Sequence, residues 1–261
     1  MKKLLLLISV FALFACSKNI EDVEQQNVPT GFLKQVKDSN LGGIVAYDYF
    51  YSGTKLLKIV GGDQIKKYSY LENLIISIEV YDTAQNLFSK ETFEYNSNSD
   101  LVATKTLYYS YNLGYRTELI YNLDGTVLIN NFSGNLISQD AFSFLNKLYF
   151  SNNEVTKSEI NINSNISTIY YEYDLSINPM NQVIGYSKLN LHRFNGVLIS
   201  QFHQIGNLHN CNKVIIDDPN ESGIVDYDYS YNTNGKPSYI SSDGNETTIF
   251  DLGYYQYIYQ E

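Results

Sequence analysis

Two tyrosine-rich segments of this chain are near copies of each other: Gly43-Ile44-Val45-Ala46-Tyr47-Asp48-Tyr49-Phe50-Tyr51-Ser52 and Gly223-Ile224-Val225-Asp226-Tyr227-Asp228-Tyr229-Ser230-Tyr231-Asn232. Seven of their ten positions are identical, although the copies lie near opposite ends of the chain. Successive side chains of a β-strand point to opposite faces. In the second copy the tyrosines therefore share one face and the aspartates share the other. The pattern predicts a strand with one sheltered aromatic face and one face in water.

Shorter versions of this motif recur along the chain, each an aromatic-x-aromatic unit followed closely by Asn or Asp. They are Phe93-Glu94-Tyr95-Asn96, Ile120-Tyr121-Asn122-Leu123-Asp124-Gly125 and Tyr171-Glu172-Tyr173-Asp174. Asn and Asp tolerate left-handed backbone, and Gly125, Gly196 and Gly235 adopt it without steric cost, so hairpin turns are predicted there. We therefore predict an all-β fold, a single antiparallel β-meander of many short hairpins, closed or nearly closed into a barrel. Its tyrosine face points inward and its acidic face is wet.

The N-terminus has the pattern of a bacterial lipoprotein signal. Lys2 and Lys3 precede an apolar stretch from Leu4 to Leu13, which Ala15 and Cys16 follow closely. The apolar stretch has the length of a secretory signal and is well short of the roughly 20 residues that span a bilayer. We expect cleavage before Cys16 and transfer of lipid, such as palmitate, to its thiol, as in the Gram-negative lipoproteins that this stretch resembles.

The chain is thus predicted to have three parts. Residues 1–15 are the signal peptide, residues 16–42 the lipidated N-terminus with a polar, flexible tether, and residues 43–261 the barrel domain. The formal net charge is −10 without a basic cluster, which argues against nucleic acid as a partner. The expected partners are the membrane, reached through the lipid anchor, and envelope proteins or glycans. No cofactor is expected.

The spaced Tyr-x-Tyr-Asn/Asp units resemble the tyrosine–aspartate repeats of Rhs-type bacterial surface proteins, without the arginine and glycine framework of those repeats. Signal and repeat together resemble an uncharacterised family of Gram-negative envelope lipoproteins with a porin-like β-barrel domain. This resemblance covers nearly the whole mature chain. It implies the barrel fold and an outer-membrane location, with the periplasmic or surface-exposed side left open. It carries no active-site residues.

The strand pattern lapses between Gln204 and Gly223, and long loops on a rigid β scaffold often carry function. The candidate binding residues there are His209, Cys211, Asp217, Asp218 and Glu221. His192 and His203 lie just before this segment or at its edge. The spacing of the histidines and Cys211 matches no standard zinc motif, and the order of the acidic residues is not that of an EF-hand loop. No metal site is therefore predicted, and Cys211 is expected to be a structural, partly buried residue.

Three functions remain open. The first is a non-catalytic binding or scaffolding lipoprotein, because no catalytic motif occurs. The second is a soluble barrel that carries a small apolar or sugar ligand in its Tyr-lined interior. The third is an envelope polysaccharide hydrolase, which would need a facing pair of carboxylates drawn from residues such as Glu94, Glu172 and Asp228. A membrane-spanning barrel is disfavoured, because Tyr49 and Tyr51 would place hydroxyl groups in hydrocarbon.

Overall fold

The chain folds into antiparallel strands that follow one another around a closed barrel. The structure, a computed structural model, describes residues 27–39, 44–194, 208–219, 222–244 and 254–261. Cys16 and the predicted signal peptide lie outside the described residues. The strands are β1 (Leu33–Asp38), β2 (Val45–Ser52), β3 (Lys55–Gly61), β4 (Gln64–Leu71), β5 (Leu74–Asp82), β6 (Leu87–Tyr95), β7 (Leu101–Tyr108), β8 (Leu113–Tyr121), β9 (Val127–Gly134), β10 (Ala141–Ser151), β11 (Glu154–Ile162), β12 (Asn165–Ile177), β13 (His209–Asp217), β14 (Gly223–Tyr231), β15 (Pro237–Gly244) and β16 (Tyr254–Tyr259).

Every strand pairs with its neighbours in sequence, and β1 pairs with both β2 and β16, which closes the barrel. The predicted meander is confirmed, and so is its closure. The barrel begins earlier than predicted, because Leu33–Asp38 lies within the segment 16–42 that was assigned to the tether. This strand is short and polar, but Leu33 and Val36 are buried, and β16 supplies the hydrogen-bonding edge that a local pattern does not reveal.

The predicted turns follow the even-numbered strands, so the Tyr-x-Tyr motifs lie together at one end of the barrel. Gly125 and Gly235 have φ angles of 81° and 71°. Their amides donate to the carbonyl oxygens of Asn122 and Asn232 at 3.1 and 3.0 Å. We call this the tyrosine end, and the opposite end, where the odd-numbered strands finish, the far end. Gly196 lies outside the described residues.

Tyrosine rings fill much of the interior. Buried inward-facing rings include Tyr49, Tyr51, Tyr68, Tyr171, Tyr255 and Tyr257, which pack with aliphatic side chains such as Ile59 and Ile169. The inward tyrosine face that the motifs predict is present in β2, β12 and β16. Other tyrosines point outward and are partly exposed, among them Tyr170 and Tyr239. Strand alternation places these between the buried positions.

The outer wall carries charged side chains that pair across adjacent strands or, for Lys157 and Glu159, within β11. Lys90 Nζ lies 2.7 Å from Glu79, Lys157 Nζ 2.8 Å from Glu159, and Lys213 Nζ 3.2 Å from Asp226. Further cations cover outward rings. Lys58 stands over Phe50, Lys67 over Tyr81 and Arg116 over Phe132. These contacts occur on many strands, so charged groups recur around the outer wall among exposed apolar side chains such as Phe142 and Ile166.

The segment between β12 and β13 turns back into the barrel, and we call its described part, residues 178–194, the plug. It contains two short 3₁₀ turns, Pro179–Gln182 and Tyr186–Leu189, and one helical turn, α1 (Asn190–Arg193). The sequence predicted no such insertion, because its apolar residues follow neither the helical nor the strand period over a useful length. A sixteen-stranded barrel is wide enough to leave a channel, and the plug occupies that space at the tyrosine end.

Candidate functional site

The plug is held to the tyrosine end of the barrel by backbone and side-chain contacts. The Ile184 amide donates to the carbonyl oxygen of Thr54 at 3.1 Å, and Lys188 Nζ lies 3.5 Å from Asp100. Five of its side chains are at most 2% exposed: Met180, Val183, Tyr186, Leu189 and Phe194. Phe194 meets Tyr171 edge to face, with ring centroids 4.9 Å apart. The plug is therefore part of the core and closes that end of the lumen.

Glu91 contacts the last turn of the plug inside the barrel. Its Oε1 lies 2.5 Å from His192 Nε2, and its Oε2 lies 3.8 Å from Arg193 Nη2. His192 Nδ1 is 3.3 Å from Thr104 Oγ1, so both ring nitrogens contact the wall. The Glu91 side chain is only 13% exposed. A buried carboxylate thus anchors two consecutive basic residues of the plug.

The charge of Glu91 is maintained by these neighbours. Burial alone would raise the pKa of its carboxyl, but the attraction of His192 and Arg193 outweighs burial and lowers the pKa to about 2. Burial opposes the charge of Arg193 as well, and Glu91 overcomes it, which leaves the Arg193 pKa raised. Both groups are therefore ionised at neutral pH.

Lys66 on β4 is a second cation in this region, beside Arg193. Burial lowers the pKa of its ammonium, repulsion from Arg193 lowers it further, and Glu91 offsets them only in part, which leaves the pKa at about 8. No carboxylate of the described residues lies within ion-pairing distance of Lys66. The lumen therefore holds one cation more than its neighbouring carboxylate can neutralise.

Two adjoining cavities lie between the plug and the far end. The larger, of about 930 Å³, is bounded by Phe88, Thr106, Tyr108, Tyr111, Leu113, Tyr115, Thr117, Asn131, Phe132, Ser133, Gly134, Ser143, Phe144 and His192. The smaller, of about 290 Å³, is bounded by Gln64, Lys66, Tyr68, Ile78, Val80, Phe88, Ser89, Glu91, Thr106, Tyr108, His192 and Arg193. Phe88, Thr106, Tyr108 and His192 border both. We call them the ring cavity and the cation cavity.

The candidate residues of the predicted loop are not brought together. Residues His209 to Asp217 form β13 and not a loop, because Cys211, Val214 and Ile216 are buried against neighbouring strands. A strand rises about 3.3 Å per residue, which separates His209 from Asp217 by roughly 26 Å. The two residues belong to opposite ends of the barrel, so they cannot share one small ligand.

His209 and Cys211 take part in structural contacts at the tyrosine end. Glu154 accepts hydrogen bonds from the His209 amide at 2.9 Å, and its Oε2 lies 3.0 Å from the Nδ1 atom of that ring. Cys211 is 2% exposed, its Sγ donates to the Lys213 carbonyl oxygen at 3.4 Å, and burial raises the pKa of its thiol. A thiol held protonated in the core is a poor nucleophile and a poor metal ligand.

The described acidic candidates, Asp217 and Asp218, lie at the far end. Asp217 is exposed, and the Asp218 carboxylate accepts a hydrogen bond from the Ser167 hydroxyl. Glu221 and His203 lie outside the described residues. Within the described ranges, no group of three or more His, Cys, Asp or Glu side chains is arranged to hold a metal ion. The carboxylates Glu94, Glu172 and Asp228 are exposed and belong to three separate strands.

The sequence patterns did not predict that Lys66, Glu91 and Arg193 form a cluster. The position of Glu91 in the alternation of β6 was the available indication. Glu91 alternates with the buried Ser89 and Phe93, so strand geometry places its carboxylate inside the barrel. A charged side chain in phase with core residues needs a buried partner. That partner comes from the plug, about a hundred residues further along the chain.

Comparison with known proteins supports the fold. No family model matches the chain, and no curated protein matches it. Among solved structures, a porin-like protein from Bacteroides uniformis superposes with a TM-score of 0.54 at 12% sequence identity, covering 91% of this chain and 100% of that one. The likeness shows a shared porin-like barrel fold. No helix in the described ranges has the length and apolar character needed to span a bilayer.

Proposed function

We propose that this protein is a non-catalytic binding protein of the cell envelope, tethered by lipid on Cys16, whose barrel takes a small ligand with a flat apolar or sugar ring into the ring cavity. The observation that carries the proposal is the ring cavity itself. Ligand sites are mostly apolar or aromatic concave spaces of 300 to 1,000 Å³ with a few placed polar groups. At about 930 Å³, the ring cavity falls within this range.

The aromatic rings of this cavity hold one another in place. Phe88 meets Tyr108 and Tyr111 edge to face, each at a centroid distance of 5.9 Å, and Tyr108 meets Tyr115 at 6.1 Å. Such contacts restrict side-chain rotation, so the entropy cost of ordering the rings around a ligand is reduced. Thr106 and Asn131 supply polar groups beside them. The geometry suits a ligand that stacks on rings and accepts a few directed hydrogen bonds.

The exposure of the outermost rings also supports ligand binding in the ring cavity. Tyr111 is 63% exposed and Tyr115 is 45% exposed, although both border the cavity. Large side chains that cluster in an exposed, concave position commonly mark a binding surface. A ligand in the ring cavity would cover them.

The charged groups of the outer wall support a barrel in water that is held at the membrane by its lipid. A lysine or arginine on the lipid-facing side of a barrel costs about 2 to 4 kcal/mol at the bilayer midplane. Lys67, Lys90, Lys105 and Arg116 are outward residues of neighbouring or nearby strands, so their costs would add. The plug argues against a conducting channel for a separate reason, because it occupies the lumen at the tyrosine end.

The site does not favour the hydrolase alternative. Hydrolysis of a glycosidic bond ordinarily requires two carboxyl groups flanking the substrate. Of the described residues that border either cavity, Glu91 alone has a carboxylate. Its contacts with His192 and Arg193 keep it ionised, which does not suit a general acid. We therefore propose binding rather than catalysis.

The test is a fluorescence titration with N-phenyl-1-naphthylamine, a neutral probe with a phenyl and a naphthyl group that brightens in apolar surroundings. We expect saturable binding to the full-length mature protein. Thr106→Trp would fill the space that both cavities share and weaken binding by about tenfold or more. Thr92→Trp, which places the same side chain on the outer wall, is the matched control. Binding that Thr106→Trp leaves unchanged would remove the support for a lumenal site.

A further inference from the structure

The cation cavity contains an excess of positive charge, although the protein as a whole is acidic. Lys66 and Arg193 both border it, and the cavity adjoins the ring cavity along Phe88, Thr106 and Tyr108. The protein around them is negatively charged overall, at −10. Two cations in one small lumenal space are therefore a local feature that general composition does not explain.

The described residues supply only part of the counter-charge and the hydrogen-bond acceptors that Lys66 and Arg193 require. Glu91 contacts His192 at 2.5 Å but is 3.8 Å from Arg193, which is longer than a hydrogen bond. The Arg193 Nε has no hydrogen-bond partner among the described residues. Lys66 lies beyond ion-pairing distance of Glu91 and of the other described carboxylates. Donors of both residues thus remain available to another group.

The arrangement has an energetic cost when the cavity holds no anion. An ammonium removed from bulk water and placed near a guanidinium loses solvation and is repelled. The lowered pKa of Lys66 reflects both effects, with burial the larger. An anion between the two cations would offset the cost, because it accepts charge-assisted hydrogen bonds from both. The cluster therefore has the character of an anion site.

We propose that the ligand of this barrel is an amphipathic organic anion, whose carboxylate, sulfate or phosphate group sits in the cation cavity against Lys66 and Arg193 while its ring system occupies the ring cavity. This inference rests on the proposed function and specifies its ligand class. The shared border of the two cavities allows one molecule to occupy both. The acidic surface discourages loose adsorption of anions elsewhere, so selection for the charged group takes place in the lumen.

The experiment compares two probes that differ by one charged group. 8-Anilinonaphthalene-1-sulfonate carries the same phenyl and naphthyl groups as N-phenyl-1-naphthylamine and adds a sulfonate. We expect the full-length mature protein to bind the sulfonate probe about tenfold or more tightly than the neutral probe, since hydrogen bonds to charged groups are the strong ones. Lys66→Met should abolish this preference by lowering the affinity for the sulfonate probe.

Two controls accompany Lys66→Met. Lys58→Met removes a lysine from the outer wall and should change neither affinity. Lys66→Arg keeps the charge and should retain most of the preference for the sulfonate probe. Lys66→Met exchanges a buried ammonium for an apolar side chain of similar length, so the barrel should fold, which the strand signal in circular dichroism verifies.

The outcomes separate this inference from the proposed function. Equal affinity of wild type for the two probes, with both blocked by Thr106→Trp, would overturn the anion assignment and leave lumenal binding intact. A preference for the sulfonate probe that survives Lys66→Met would also overturn it. If Thr106→Trp blocks neither probe, lumenal binding itself fails, and the anion assignment fails with it.

Discussion

The Tyr173 hydroxyl donates a hydrogen bond of 2.7 Å to the main-chain carbonyl oxygen of Val155 on the preceding strand. The same contact recurs near the ends of β6, β8, β14 and β16, but not in β2, where the Tyr51 hydroxyl has no hydrogen-bond partner among the described residues, or in β4, where the Tyr70 hydroxyl accepts from the Leu56 amide at 3.1 Å. The pairs are Tyr95 with Ile75, Tyr121 with Leu101, Tyr229 with Cys211 and Tyr259 with Pro237, at 2.6 to 2.9 Å. The tyrosine repeat is thus a repeated link between adjacent strands at one end of the barrel.

A bulge explains why tyrosine performs this role. The pairing register shifts between Glu172 and Tyr173, and again between Glu94 and Tyr95. A bulge twists the strand and redirects the side chain beside it. A phenol ring is long enough to cross to the next strand and ends in a donor, whereas phenylalanine fills the same space without one. The hydroxyl is therefore required for the link.

Tyr173→Phe should lower the free energy of unfolding by about 1 to 2 kcal/mol, because it removes one hydrogen bond and leaves the Val155 carbonyl without this donor. Tyr170→Phe is the matched control on the same strand, since Tyr170 is 41% exposed on the outer wall. It should change stability by no more than about 0.5 kcal/mol. Urea denaturation measures both. Equal losses for the two variants would contradict a specific role for the link.

The sequence was sufficient to predict the meander, because its signal is local. Alternating residues and turn residues such as Gly125 and Gly235 lie within a few positions of the strands they define. The barrel also needs an edge partner for β1, and that partner, β16, comes from the other end of the chain. The segment Leu33–Asp38 has two buried apolar residues, Leu33 and Val36, but no strict alternation, so a strand could not be predicted there without knowledge of β16.

The lumenal site was not predicted, because its members are brought together only by closure of the barrel. Lys66 and Glu91 are two strands apart, and Arg193 arrives in the plug. The sequence places His192 shortly before the segment between Gln204 and Gly223, which contains none of the cluster's other members. The misassigned loop at β13 had a similar cause. Asn210, Cys211 and Asn212 look irregular in sequence, yet the first two are buried between two strands.

Glu91→Gln tests the anchor of the plug. Removing the carboxylate leaves Arg193 without its buried counter-charge and His192 without its carboxylate partner, and breaking a buried pair in this way costs about 3 to 5 kcal/mol. Glu79→Gln on the outer wall breaks the exposed pair with Lys90 and should cost about 1 kcal/mol or less. Chemical denaturation compares the two variants. A loss for Glu91→Gln no larger than that for Glu79→Gln would show that the plug does not depend on this charge.

The buried tyrosines predict unfolding at alkaline pH. Burial, reinforced by neighbouring tyrosines, raises the pKa of the Tyr49, Tyr229 and Tyr257 hydroxyls. The folded state therefore keeps protons that the unfolded state releases near pH 10, so this stability is complete below about pH 10 and is lost as the pH rises further. Tyrosinate absorbance should increase together with loss of strand signal in circular dichroism.

The absence of tryptophan from the sequence makes that titration simple to interpret, because the near-ultraviolet change reports tyrosinate alone. Burial and the nearby Asp100 raise the pKa of Tyr121 to about 12, so even this half-buried ring should titrate late. Complete ionisation of the tyrosines in a barrel that keeps its strand signal would contradict the prediction.

The lipid anchor is tested at Cys16. In a Gram-negative host, the wild-type protein should incorporate radiolabelled palmitate and fractionate with the outer membrane. Cys16→Ser should abolish labelling, because serine offers no thiol for lipid transfer. Cys211→Ser, which removes the buried thiol of β13, should leave labelling intact. Palmitate incorporation that persists in Cys16→Ser would exclude this residue as the attachment site.

Lys66 predicts a pH dependence of stability with the opposite sign to that of the tyrosines. Its pKa is about 8 in the folded protein and about 10.4 when unfolded, so between these values the unfolded state binds more protons. The contribution of Lys66 to the free energy of unfolding is therefore unfavourable below about pH 8 and improves as the pH rises toward 10. Lys66→Met lacks this penalty and should be more stable than wild type at pH 7.

The difference between Lys66→Met and wild type isolates this contribution. The other charged or titratable groups that border the cation cavity are Tyr68, Glu91, Tyr108, His192 and Arg193, and both proteins contain them. The stability advantage of Lys66→Met should therefore be largest below pH 8 and shrink between pH 8 and 10, as measured by urea denaturation at each pH. A constant advantage would mean that Lys66 is not buried as a charge. The preference for the sulfonate probe should decline over the same interval, because the anion requires the protonated ammonium.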